Sequence, residues 1–277
     1  MKELIEKAKE LLANGTLDLV LGYESIEPKK TRPLFVTNAE EAEKLIFNEF
    51  CLNNLATYLT RPEVKKAKKV GIVAKGCDIR AIVNLIIENQ VPREHVYIFG
   101  MTCKGVENIK CKTCKVHNPH LSDIVIGDAV PETIEKDAVI VHEDVAEFNK
   151  KTREEKWAFW SEQLSKCIKC YACRQACPLC YCNRCIVDLN NPQWIDTRSN
   201  PKGNLAWNIV RAYHLSGRCI DCGECERVCP ANIPLMLLNR TLQEEVKEKF
   251  HFEAGYDLEA CPPLTVFEKD DSENFIR

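Results

Sequence analysis

Cys167, Cys170, Cys173 and Cys177, with Pro178 directly after, form the pattern C-x2-C-x2-C-x3-C-P, and Cys219, Cys222, Cys225 and Cys229, followed by Pro230, repeat it 52 residues later. Thiolates at this spacing hold [4Fe–4S] clusters. The tight part of each run wraps three sulfurs around one face of a cube. The fourth, carried into the next helical turn, reaches the neighbouring cube. One cluster is therefore expected on Cys167, Cys170, Cys173 and Cys229, and a second on Cys219, Cys222, Cys225 and Cys177. Structural zinc is the alternative for C-x2-C pairs. Two complete runs, each ending in proline, argue against it.

Nine cysteines remain of the seventeen. Cys77 in KGCD and Cys103 in MTCKG each follow an expected strand, at the end of a parallel sheet where α/β folds place ligands. Cys111 and Cys114, in KCKTC, follow closely. These four read as a third [4Fe–4S] site, with zinc as a second choice and simple burial as the bland one. Asp78 reads as a helix N-cap, which sets Cys77 near the positive end of a helix dipole that favours thiolate. Cys180, Cys182 and Cys185 come directly after the first run. They read as three corners of a further metal centre, iron–sulfur or zinc, with Cys51 or Cys261 as the fourth.

The rest of the composition narrows the class. A chain of 277 residues can bury a conventional core without staples. Disulfide frameworks belong to short secreted domains, and the N-terminus MKELIEKAKELL has no apolar leader, so reduced thiols in a cytoplasm are expected. No apolar run approaches the roughly 20 residues of a membrane span, which predicts no direct membrane insertion. A net charge of −3 gives no reason to expect nucleic acid, and KKAKK at 65–69 reads as a solvated helix end.

The elements that would position these thiols alternate in the first half. Residues 2–14 read as an amphipathic helix ended by Gly15, 17–23 and 33–37 as strands, and 40–50 as a helix capped by Asn38. VGIVA (70–74), the turn GCD, a helix over 79–90 and HVYIFG (95–100) form a βαβ step, with further strands at 123–127 and 138–142. Residues 1–146 are thus expected to be an α/β domain with a mainly parallel sheet. A charged helix over 147–166 leads out of it, its Trp157, Phe159 and Trp160 reading as core. Residues 147–250 are expected to be a mostly helical and irregular two-[4Fe–4S] ferredoxin-like domain, and 251–277 an extended tail. An amphipathic helix at 203–217 would pack across the cluster pair, with His214 as a packing or surface residue.

The segment VGIVAKGCDIRAIVNLIIENQVPREHVYIFGMTCKG resembles the core of the beta subunits of coenzyme F420-dependent hydrogenases and dehydrogenases, in which a strand runs into a cysteine turn and a later strand ends in Cys-x-Gly, here Cys103-Lys104-Gly105. The second half, WAFWSEQLSKCIKCYACRQACPLCYCNRC with CIDCGECERVCP, resembles iron–sulfur subunits that accompany heterodisulfide-reductase-like flavoproteins, formate dehydrogenases and hydrogenases of strict anaerobes. Together the resemblance covers about two thirds of the chain. It implies flavoprotein and catalytic subunits as partners. Subunits of the F420 type bind FAD and usually carry their ferredoxin segment elsewhere. Here no G-x-G-x-x-G or other phosphate loop is present, so the residues do not support FAD or F420 binding.

Three functions follow as expectations. The first is a subunit that relays single electrons between a flavin-containing subunit and a catalytic subunit, which needs no catalytic acid, base or nucleophile. The second is a flavin-binding beta subunit that reduces F420 or a similar hydride carrier. The third is a zinc-stabilised scaffold.

Overall fold

The computed structural model describes residues 1–106, 109–131, 134 and 142–263. Five strands, β1 (Leu19–Glu27), β2 (Lys30–Val36), β3 (Val70–Ala74), β4 (Val96–Met101) and β5 (Ile124–Ile126), form one mixed sheet in the order β2-β1-β3-β4-β5. Only the β1–β2 hairpin is antiparallel. All five residues of β3 are buried. That is what an unbroken apolar run such as VGIVA means, because a central parallel strand is covered on both faces.

The helices are α1 (Lys2–Ala13), α2 (Pro62–Lys65), α3 (Gly76–Ile87), α4 (Glu143–Asn149), α5 (Arg153–Ser165), α6 (Ala172–Ala176), α7 (Pro201–His214), α8 (Glu224–Arg227) and α9 (Leu235–Phe250). α1 buries Leu4, Ala8 and Leu11 on one stripe. Among the described residues no helix is long and apolar enough to cross a membrane. Lys65, Lys66 and Lys68 are exposed, as a solvated helix end requires.

Several expectations change, among them the turn expected over GCD, which is the first turn of α3. The helix expected over 40–50 is only a 3-10 turn, Glu41–Lys44, with Asn38 Oδ1 accepting the Glu41 N–H at 2.9 Å. Beyond it the chain extends, Ile46 donates its N–H to the Tyr23 carbonyl, and Leu45 drops onto β1. A Cβ at Gly22 would lie 2.3 Å from Leu45 Cδ2, so the missing side chain leaves the room Leu45 fills. Burial against the sheet has overruled the helical pattern. The helix expected over 147–166 is two helices, because Thr152 caps α5: its Oγ1 accepts from Glu155 N and Glu155 Oε2 accepts from Thr152 N. Asp78 is not an N-cap. It sits inside the first turn of α3, where it accepts from Lys75 N and Leu55 N, and Lys75 is the capping position. Trp157 is exposed rather than core, while Phe159, tilted, and Trp160, edge-on, pack against Phe148. Of the strand expected at 138–142 only His142 lies within the described residues.

One apolar core runs from the sheet into the cysteine-rich half, taking in Leu179, Leu215, Ile220, Val246 and Phe252. Helix α3 is the joint. Arg80 donates to the carbonyls of Ile220 (3.0 Å) and Ala254 (2.8 Å), Asn84 donates to that of Arg218 (2.8 Å), and Glu88 pairs with the Arg218 guanidinium. The described part of the tail folds back over this helix with Phe252 and Ala254 buried. Residues 264–277 lie outside the described residues.

Candidate metal centres

The two cysteine runs have the same backbone. Lys169 and Tyr171 in the first, Asp221 and Gly223 in the second, all take left-handed φ values between 54° and 72°. Each follows its motif's first cysteines by the same offset. This alternation points successive amide N–H groups inward, the arrangement that cradles anions such as a cluster. The short helices α6 and α8 then carry Cys173 and Cys225.

Each run sends its last cysteine to the other's cavity. Cys167, Cys170, Cys173 and Cys229 line a first cavity, with Pro230, Tyr171 and Trp207 around them. Cys177, Cys219, Cys222 and Cys225 line a second, with Arg211, Met236 and Asn239. Helix α7 crosses between them. Trp207 and Asn208 face the first cavity, and Arg211, one turn on, faces the second. His214 lies beyond, exposed at the helix end. Asn239, itself buried, donates its amide to Cys225 Sγ at 3.5 Å.

A third cavity lies at the C-terminal edge of β3 and β4 and is lined by Cys77, Cys103, Cys111 and Cys114. Cys77 is the second residue of α3, Cys103 follows β4, Cys111 rides a 3-10 turn, Ile109–Thr113, and Cys114 comes directly after it. Lys75 anchors the floor: fully buried, it donates to Tyr23 Oη, the Asn53 carbonyl and Asp78 Oδ2 at 2.7–2.9 Å. Cys103 N donates to the His117 carbonyl and His117 Nδ1 bonds back to the Cys103 carbonyl, pinning the loop. Ile220 and Asp221, from the second run, line this cavity too, so the second and third sites adjoin.

The donor sets suit iron–sulfur clusters. Each cavity offers four thiols, and each has a polar atom buried without a protein partner: Tyr171 Oη at the first, Arg211 Nε at the second, His117 Nε2 at the third. Burial pushes the thiols up, Cys103 to about 11 and Cys225 to about 12, with Cys77, Cys114, Cys173, Cys219 and Cys222 raised in the same sense. Loading metal must therefore expel protons, and acid opposes it. Cys177 goes the other way, to about 6, because the Cys180 thiol donates to it.

The surplus cysteines are not gathered. Cys180 lies against Cys177, Cys182 is exposed, and Cys185 packs on the first cavity's side beside Cys167, Cys173 and Trp207. Cys51 belongs to the core of the α/β half, where its sulfur accepts from Asn48 N, and Cys261 is exposed. None of the three cysteine-lined cavities takes in Cys180, Cys182, Cys185, Cys51 or Cys261, the thiols on which a further centre was expected. Spacing along the chain had placed three of these thiols together, but the loop turns them toward different neighbours. Cys51→Ala is expected to leave the iron content unchanged and to lower stability by about 1 kcal/mol through a small core void. Metal analysis and the thermal midpoint check this, and lost iron would restore Cys51 as a ligand.

Arg211, Lys110, Tyr171 and His117 were not legible as site residues. Arg211 alone left a trace, a charge four residues after Trp207 on the buried stripe of its helix.

Residues 162–233, which include both cysteine runs, match the family described as a 4Fe-4S dicluster domain. Over nearly its whole length the chain is similar to the F420-dependent formate dehydrogenase subunit beta of Methanocaldococcus jannaschii, with 24% identity over 371 positions covering 97% of this chain and 93% of the relative. It is likewise similar to the F420-dependent formate dehydrogenase 1 subunit beta of Methanococcus maripaludis, 24% identical over 355 positions that cover 92% and 91%. Both alignments are longer than the 277-residue chain, so these relatives carry residues with no counterpart here. A solved structure of the F420-reducing [NiFe] hydrogenase complex from Methanosarcina barkeri shows a slight likeness, 18% identical with a TM-score of 0.30 over 37% of this chain and 40% of that one. So partial a likeness bears on neither fold nor function.

Proposed function

We propose that this chain is an iron–sulfur electron-transfer subunit of an anaerobic oxidoreductase, relaying single electrons between a flavin-containing subunit and a catalytic subunit. The observation that carries this reading is the set of three adjoining cavities, each lined by four cysteines. [4Fe–4S] clusters bound there would supply the one-electron chemistry. The protein's part is to hold and space them: Cys167, Cys170, Cys173 and Cys229 at the first site, Cys177, Cys219, Cys222 and Cys225 at the second, Cys77, Cys103, Cys111 and Cys114 at the third. In this reading residues 1–146 carry the third site, 147–250 the other two, and 251–277 the tail. At the first two sites zinc is disfavoured by the match of 162–233 to a 4Fe-4S dicluster domain.

The partners proposed, of the formate dehydrogenase, hydrogenase or heterodisulfide-reductase-like kind, follow from the names of the relatives and from the family resemblance. Those same names, F420-dependent formate dehydrogenases, favour a second reading in which the chain binds flavin and reduces F420 or a similar hydride carrier. Anaerobic purification from the native source separates the two. The relay reading expects iron and acid-labile sulfide in equal amounts, copurifying flavoprotein and catalytic subunits, and no yellow chromophore released when the isolated chain is denatured. Flavin in stoichiometric amount would establish the second reading instead, and stoichiometric zinc would overturn both.

A further inference from the structure

Two buried cations stand in the gaps between the cavities. Arg211, 4% exposed, lines the second cavity beside Cys177 and Cys225, and its Nη2 donates to the Cys173 carbonyl of the first at 3.1 Å. Its Nε is buried without a partner. Lys110, 6% exposed, lines the third cavity with its Nζ 3.8 Å from Cys77 Sγ, and the same Nζ donates to the Cys222 carbonyl of the second. Nothing comparable joins the first cavity to the third among the described contacts.

A guanidinium or ammonium held this close, away from water, favours the more negatively charged, reduced state of a neighbouring cluster. We propose that Arg211 and Lys110 are the two electrostatic links of the chain: they fix its order as first, second, third, and each raises the reduction potentials of the two clusters between which it lies. The inference rests on the three-cluster reading above. It adds that the second site is coupled to both others, whereas the two ends are coupled only through it. These are positioning and tuning residues, since each acts on a cluster held by other side chains.

Redox titration of the full-length protein, followed by low-temperature EPR, tests the pairing. Arg211→Met is expected to shift the first and second signals to lower potential and leave the third in place. Lys110→Met should shift the second and third and leave the first. Arg211→Lys and Lys110→Arg keep the charge and should keep the wild-type midpoints. Should a neutral variant lose iron, loss confined to its two flanking sites and restored by the charge-keeping variant supports the same pairing. Unmoved midpoints, equal shifts in all three signals, or uniform loss of iron overturn it. Wild-type protein holding about eight iron rather than about twelve would instead remove the third cluster. That outcome would defeat the functional reading at Lys110 while leaving the Arg211 arm decisive for the other pair.

Discussion

Cys229→Ala is expected to erase the same EPR signal as Cys170→Ala, although Cys229 belongs to the other cysteine run. Cys177→Ala should in turn pair with Cys222→Ala. The reason is the exchange of last cysteines: each run supplies three thiols to its own cavity and one to its neighbour's. The effect is large because a cluster left with three protein sulfurs loses an iron or is lost altogether, about one to four of the roughly twelve irons that three cubanes require. EPR of anaerobically prepared full-length variants, with iron and sulfide counted, provides the test. Cys229→Ala behaving like Cys222→Ala would show that each run closes on its own cluster and that the lining of the cavities misleads.

The second large effect comes from a residue with no side chain. Gly76→Ala is expected to remove about four irons, those of the third site, and leave the other two EPR signals intact. Helix propensity alone would welcome alanine in α3, by up to about 1 kcal/mol over glycine. Space decides otherwise. A Cβ at Gly76 would lie 2.1 Å from the Val116 carbonyl oxygen and 2.7 Å from Val116 Cγ1. A backbone atom cannot swing aside as a side-chain end can, so the segment from Cys114 to His117 must move as a unit. It carries Cys114 with it and breaks the paired bonds between Cys103 and His117. The double variant Cys111→Ala with Cys114→Ala removes ligands without any clash and should leave the same residual spectrum. If Gly76→Ala keeps its full iron, the third cavity is not gripped between α3 and this segment.

How much of this was readable beforehand depended on whether the information was local. The cysteine runs were legible because cluster ligation imposes a spacing within a few residues, and βαβ order was legible because β3, α3 and β4 follow one another with clear changes of period. The break at Thr152 was also local, in the Thr-Arg-Glu-Glu capping sequence, but a continuous run of charged residues masked it. What could not be read was set through space. The helical pattern of 40–50 gave way to a bridge with Tyr23 more than twenty residues away. Cys51 resembled the other spare thiols in type and differed only in being folded into the core. Lys110 and Arg211 gained their places from a helix and a loop that meet only once the two halves close on one core.

The depth of the sulfurs has a consequence for life with traces of oxygen. Cys170 is exposed, whereas Cys222 and Cys225 are buried. Oxidation of cysteine follows thiolate character and access, so molecular oxygen meets the first site before the second. A molecule briefly caught in air would thus lose a cluster at the first site before one at the second. The first site's Cys167, Cys173 and Cys229 pack outside the core that α3 ties together, so such damage would leave that core folded.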